Sequence, residues 1–127
     1  MVKLVLFDID GTLVHTGGAG TRAFAQVFAT EFGLSHGTER MRFAGRTDVS
    51  LVREFFNLHH IPATPANFER FFSHYVFWLD HILAHSHTAE CPGARDLIIE
   101  LEALPEPPLI GLLTGNIRLG EVFRICD

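Results

Sequence analysis

VKLVLFDIDGT, residues 2–12, sets an apolar run directly before two aspartates that flank a single isoleucine, with a glycine and a threonine behind them. The run Val2 to Phe7 is short and rich in β-formers, the pattern of a buried parallel strand whose interior is hostile to carboxylates. Asp8 and Asp10 therefore mark where the strand stops. In open parallel sheets ligands gather beyond the carboxyl ends of the strands, so acids at that position stand where chemistry is done.

A second strand pattern, LIGLL at residues 109–113, is followed by Thr114-Gly115-Asn116. If the two strands are neighbours, Asp8, Asp10 and this group meet at one sheet edge. Two carboxylates, a hydroxyl and a glycine-bearing turn then converge. A hard cation such as Mg²⁺ prefers oxygen ligands and few protein carboxylates, which Asp8 and the turn around Asp10 can supply. One carboxylate can attack phosphorus while its neighbour shuttles the proton. Thr114 and the backbone N–H groups of Gly11 and Gly115 are candidates to hold the non-bridging oxygens. The set points to phosphoryl transfer.

Helical spacing fills the region between the strands. Gly17 to Gly20 (GGAG) reads as a hinge or tight entry to a helix over 21–34, in which Phe24, Val27, Phe28 and Phe32 recur. No GK[ST] or GxGxxG context makes GGAG a nucleotide loop. Thr47 and Asp48 start a second helix bearing Val49, Val52, Phe55 and Phe56. Thr64 caps a third, with Pro65 in its first turn and one stripe from Phe68 to Leu83. A Cys91-Pro92-Gly93 turn leads to a helix over 94–104. His74, His81 and His85 share the third helix at spacings that fit a solvated face, since Phe and Leu already occupy its apolar stripe. Arg46, within FAGRTD at residues 43–48, reads equally as a partner for an anionic leaving group and as a surface arginine beside a helix cap.

Composition narrows the classes. Of 127 residues, 47% are hydrophobic and 20% charged, enough apolar material for one globular domain or slightly more. Net charge is -5, and no basic block is present to track nucleic acid or an anionic membrane. Cys91 and Cys126 lie far apart without CxxC spacing, which argues against a disulfide framework or zinc site and fits a reducing compartment. No run has the length of a signal core or a membrane span. The expectation is a cytoplasmic protein.

FDIDGTL, with LLTGN about a hundred residues later, resembles the haloacid dehalogenase superfamily, in the branch of phosphoglycolate phosphatase and β-phosphoglucomutase. The helical insertion resembles that branch's cap, and CPGARDLIIELEA the helix before its second motif. The resemblance implies an α/β fold: a Rossmann-like parallel-sheet core, residues 1–15 and 89–127, incomplete here, with a helical cap over 16–88. It implies Asp8 as nucleophile forming an aspartyl-phosphate, Asp10 as general acid and base, Thr114 as phosphoryl ligand, and Gly115 and Asn116 shaping that turn. Mg²⁺ would lie against an Asp8 oxygen and the Asp10 carbonyl. Superfamily members that cleave carbon–halogen bonds lack the acid that Asp10 provides, so phosphate esters are favoured.

The pattern also departs from the family. Its third-motif lysine and fourth-motif acids are missing: Lys3, the only lysine, lies at the wrong end of the first strand, and Arg118 is a weak substitute on the wrong element. The expectation is the N-terminal part of a longer phosphatase acting on a small phosphorylated metabolite, weakly active or inactive alone and open to self-pairing at an unfinished sheet edge. The alternatives are a phosphomutase using the same nucleophile and a non-catalytic relic that binds phosphorylated ligands or a partner chain.

Overall fold

Phenylalanine spacing sets the core. The computed structural model describes residues 1–115, where the helical patterns become α1 (Ala19–Phe32), α2 (Asp48–Leu58) and α3 (Pro65–Ala84). Phe24, Val27 and Phe28 fall on one face of α1 and pack with Phe71, Tyr75 and Leu79 of α3. Leu51, Val52, Phe55 and Phe56 of α2 close the cluster. Phe28 stacks on Phe55 with ring centroids 3.5 Å apart, and Tyr75 meets Phe24 edge-on at 4.8 Å. Such aromatic pairs add about 0.5–1.5 kcal/mol each beyond the area they bury.

The caps follow the sequence for two helices and differ for the third. The Ser50 N–H donates to Thr47 Oγ1 at 3.1 Å, and the Asn67 N–H to Thr64 Oγ1 at 3.2 Å. Pro65 sits where the first turn needs no donor. By contrast α1 starts at Ala19, inside GGAG, two residues ahead of the sequence expectation. Its cap is Gly18, with φ 77° and no side-chain hydrogen bond. A glycine cap lacks the hydroxyl or carboxylate that announces a helix start, which is why the boundary is hidden in the sequence.

The strand β1 (Leu4–Phe7) pairs in parallel with the last described strand, Leu109–Leu112, in the register Leu4↔Leu109 to Phe7↔Leu112. Sequence predicts both as buried. Phe7 is, but Leu4, Leu6, Leu109 and Leu112 stay exposed. A parallel sheet is buried only when layers cover both faces, and the helix before the last strand, α4 (Ala94–Glu102), buries no residue. The apolar runs encode strands correctly; the covering layer is not found among the described residues.

A short antiparallel pair escapes the sequence reading: β2 (Val14–His15) against β3 (Ala89–Glu90). Two-residue strands leave no periodicity to detect. The Cys91 N–H donates to the Leu13 carbonyl at 2.9 Å and lengthens the ladder. Both chain connections between the helices and the longer sheet, whose second strand is β4 (Leu109–Leu112), thus run side by side. Arg95 of α4 forms an ion pair with Glu90, and its hydrogen bond holds the Glu90 carboxyl below the usual range. No helix among the described residues is long and apolar enough to cross a membrane.

Candidate active site

Side chains alternate along an extended backbone, so Asp8 and Asp10 project to one side where β1 ends and Ile9 to the other. Ile9 is fully buried and both acids are exposed. The Ile9 carbonyl then accepts from the N–H groups of Thr12, Leu13 and Val14 at 3.2, 2.9 and 3.2 Å, which turns the chain back sharply. Gly11, with φ 75°, makes that turn feasible; a side chain there would cost about 1–2 kcal/mol. Its N–H already donates to the Val14 carbonyl at 2.9 Å. Gly11 thus shapes the turn after Asp10 with its N–H engaged inside the protein, whereas the sequence reading has that N–H hold phosphate.

β1 and β4 end together. The Leu113 N–H donates to the Phe7 carbonyl at 2.8 Å as the final rung, so Asp8 and Thr114 leave neighbouring strands just beyond it. Paired strands lie about 4.8 Å apart. Asp8, Asp10 and Thr114 consequently line one cavity of about 750 Å³. Gly11, Arg46 and Gly115 line it too, and Asn116 lies outside the described residues. The described residues chosen from the sequence for the site, Asp8, Asp10, Gly11, Arg46, Thr114 and Gly115, thus all line one cavity.

The helical part closes the other side. The Asp48 N–H, at the start of α2, donates to the Gly115 carbonyl at 2.9 Å. A Cβ on Gly115 would come within 2.9 Å of both the Arg46 carbonyl oxygen and the Thr47 Cα, backbone atoms that cannot swing aside. Gly115→Ala is expected to lose about 1–3 kcal/mol of stability through that overlap, read as a lower denaturation midpoint in urea. Gly111→Ala, whose Cβ would approach only the flexible Leu6 Cδ2 at 3.1 Å, should lose less.

Arg46 reaches the cavity with its guanidinium paired to Glu54 of α2. Its charge is therefore already matched within the protein. His15 lines the cavity as well, and so do Thr16, Asp48 and Tyr75, which sequence reasoning missed. Thr16 and Asp48 are 8% and 4% exposed. Nothing in a single sequence marks Thr16 or Tyr75; Asp48 looked only like part of a helix cap. His81 on α3 and His85 at its C-cap are exposed, as expected. No group of three His, Cys, Asp or Glu side chains among the described residues is placed to hold a metal. What remains is a pair of hard oxygen donors, Asp8 and Asp10, which suits an ion that retains most of its water, such as Mg²⁺.

Comparison with known proteins gives the family and the fold. Residues 5–118 match the haloacid dehalogenase-like hydrolases, and the chain belongs to that family. Its fold is shared with CbbY from Rhodobacter sphaeroides, solved in complex with phosphate: 21% identity, TM-score 0.75, 98% of this chain and 56% of that one. It is also shared with a protein of Lactobacillus plantarum assigned as a phosphoglycolate phosphatase: 21% identity, TM-score 0.67, 100% of this chain and 56% of that one. The chain thus spans 56% of the length of either structure. Curated protein sequences gave no match.

Proposed function

We propose that the chain hydrolyses a small phosphate monoester through an aspartyl-phosphate on Asp8, with Mg²⁺ as cofactor. The observation that carries this reading is the meeting of Asp8, Asp10 and Thr114 in one cavity at the tips of paired parallel strands. An Asp8 oxygen attacks phosphorus and the ester P–O bond breaks, while Asp10 gives its proton to the departing alkoxide. Asp10, now a carboxylate, takes a proton from water, which attacks the phosphorus of the intermediate and releases inorganic phosphate and free Asp8. Ester and water become alcohol and phosphate. Thr114 Oγ1 and the Gly115 N–H are the donors we assign to the non-bridging oxygens. Mg²⁺, held by the Asp8 carboxylate and the Asp10 carbonyl, supplies charge neutralisation when bound.

Residues 16–88 act in this reading as the cap, and their wall of the cavity keeps bulk solvent and macromolecules away while leaving room for the hydrolytic water. The partner is therefore a small soluble metabolite in the cytoplasm. Likeness to a CbbY solved with phosphate and to a protein assigned as a phosphoglycolate phosphatase favours phosphate esters over other hydrolase substrates. No lysine lines the cavity among the described residues, and the Arg46 charge is matched by Glu54. Phosphoryl charge is left undercompensated, so slow turnover is expected, and with Asp8 and Asp10 alone to hold it among the described residues Mg²⁺ should bind weakly. The test is Mg²⁺-dependent phosphate release from a panel of small monoesters, with Asp8→Asn alongside.

A further inference from the structure

The last turn of α3 and its C-cap carry two histidines that the phosphatase reading does not use. His81 and His85 are four residues apart, which sets them one above the other on the same face. Their ring centres lie 4.6 Å apart. An imidazole nitrogen binds a divalent transition metal at about 2.0–2.1 Å and sits about 1.1 Å from its own ring centre, so two rings at a right angle on one ion have centres about 4.5 Å apart. The separation in the protein matches that of a pair sharing an ion.

Neighbouring groups hold both rings. His85 Nδ1 lies 2.8 Å from the His81 carbonyl oxygen. A carbonyl only accepts, so Nδ1 carries the proton and Nε2 of the neutral ring keeps its lone pair. An N–H given to a backbone carbonyl is the support that metal-bound histidines usually have. The Trp78 indole packs edge-on against His81 with ring centres 5.8 Å apart, and no hydrogen bond occupies a His81 ring nitrogen among the described residues. His74, seven residues earlier, is engaged elsewhere: its Nε2 lies 3.1 Å from a Glu31 carboxylate oxygen and its Nδ1 2.8 Å from the Arg70 carbonyl.

The local field favours a cation. A 20-residue helix ends here, and its last carbonyl groups carry partial negative charge. His81 is the basic residue of that turn, with no Lys or Arg beside it, and Asp80 has no ion pair among the described residues. Two neutral nitrogens with no thiolate select a borderline ion, Cu²⁺ more tightly than Zn²⁺, whereas Mg²⁺ takes oxygen ligands.

We propose that His81 and His85 form a surface site for a borderline divalent cation of the Zn²⁺ or Cu²⁺ kind, separate from the Asp8 and Asp10 pair and independent of the phosphatase reading. Two protein ligands leave the remaining positions to water, so the ion exchanges with solvent and its occupancy follows the free metal concentration. The bound ion ties the last turn of α3 to its cap, where the chain turns towards β3. Ser86, the next residue, already accepts from the Arg22 guanidinium of α1 at 2.8 Å. The ion thus reinforces the point at which α1, α3 and the return to the sheet meet.

Trp78 is the only tryptophan in the sequence, so its fluorescence reports on this place alone. Cu²⁺ added to the untagged full chain, with Mg²⁺ in large excess to occupy the acids, should quench that fluorescence along a one-site curve. EDTA or excess Zn²⁺, neither of which quenches, should restore it. His81→Ala and His85→Ala alter exposed side chains and should keep the circular dichroism. Each should weaken Zn²⁺ binding, measured by calorimetry, roughly tenfold or more, since loss of even a supporting group costs about ten- to a hundredfold. His74→Ala should leave that affinity unchanged. Zn²⁺ should also raise the melting temperature of the unsubstituted chain and not that of His85→Ala. Quenching that fails to saturate, Zn²⁺ affinity that survives either substitution, or an equal loss in His74→Ala would overturn the site.

Discussion

Asp8→Asn is expected to lower phosphate release by about a thousandfold or more. An amide has neither the charge nor the nucleophilicity to open a P–O bond, and Asp10 cannot replace Asp8 without moving, since it leaves the strand one side-chain repeat further on. Asp8 is exposed at the strand end, so the variant should keep its circular dichroism and its melting temperature. Asp10→Asn should act differently. Proton transfer contributes about a hundredfold to ten-thousandfold, but a leaving group that departs as a stable anion needs no proton. The Asp10→Asn defect should therefore be severe with alkyl phosphates and milder with p-nitrophenyl phosphate, whereas Asp8→Asn is equally inactive towards both. Full turnover by Asp8→Asn would remove the covalent route.

Phe28→Ala should have the largest effect on the fold. Phe28 is fully buried, stacks on Phe55 and touches Phe24, Phe32, Phe56 and Phe71, so it is where α1, α2 and α3 meet. Removing a buried phenyl ring costs about 3–5 kcal/mol because the surrounding side chains relax only in part. Whole domains are stable by only about 5–15 kcal/mol. Urea denaturation followed by circular dichroism should show a much lower midpoint, or a chain already largely unfolded in buffer. Phe77→Ala is the control: Phe77 is 64% exposed, and its loss should stay within about 0.5 kcal/mol. Equal losses at the two positions would mean that the helical core is not where the packing energy lies.

The parts of the site that could be read from sequence are those fixed by the chain's own period. Asp8, Asp10 and Thr114 each follow an apolar run, and a parallel pairing of those runs brings them together without reference to anything else. Thr47 and Thr64 were legible because a hydroxyl before a helical stripe has one common use. Thr16 and Tyr75 were not: a residue just past the two-residue strand β2 and one tyrosine among the aromatics of α3 reach the cavity only through tertiary packing. The start of α1 was obscured by glycines, which mark a change of direction equally well before a helix, a strand or a loop. Burial of β1 and β4 was misjudged because apolar composition reports what a strand requires, not whether a layer is present to cover it.

The pairing of β1 with β4 also bears on the order in which the molecule assembles. Helical contacts within the middle of the chain close short loops, whereas Leu4 must find Leu109 across about a hundred intervening residues, a slower and entropically dearer search. The helices are thus expected to gather first and the strand tips to come together late. On gentle denaturation the order of events reverses, and the pocket's chemistry should vanish while most of the helical signal persists.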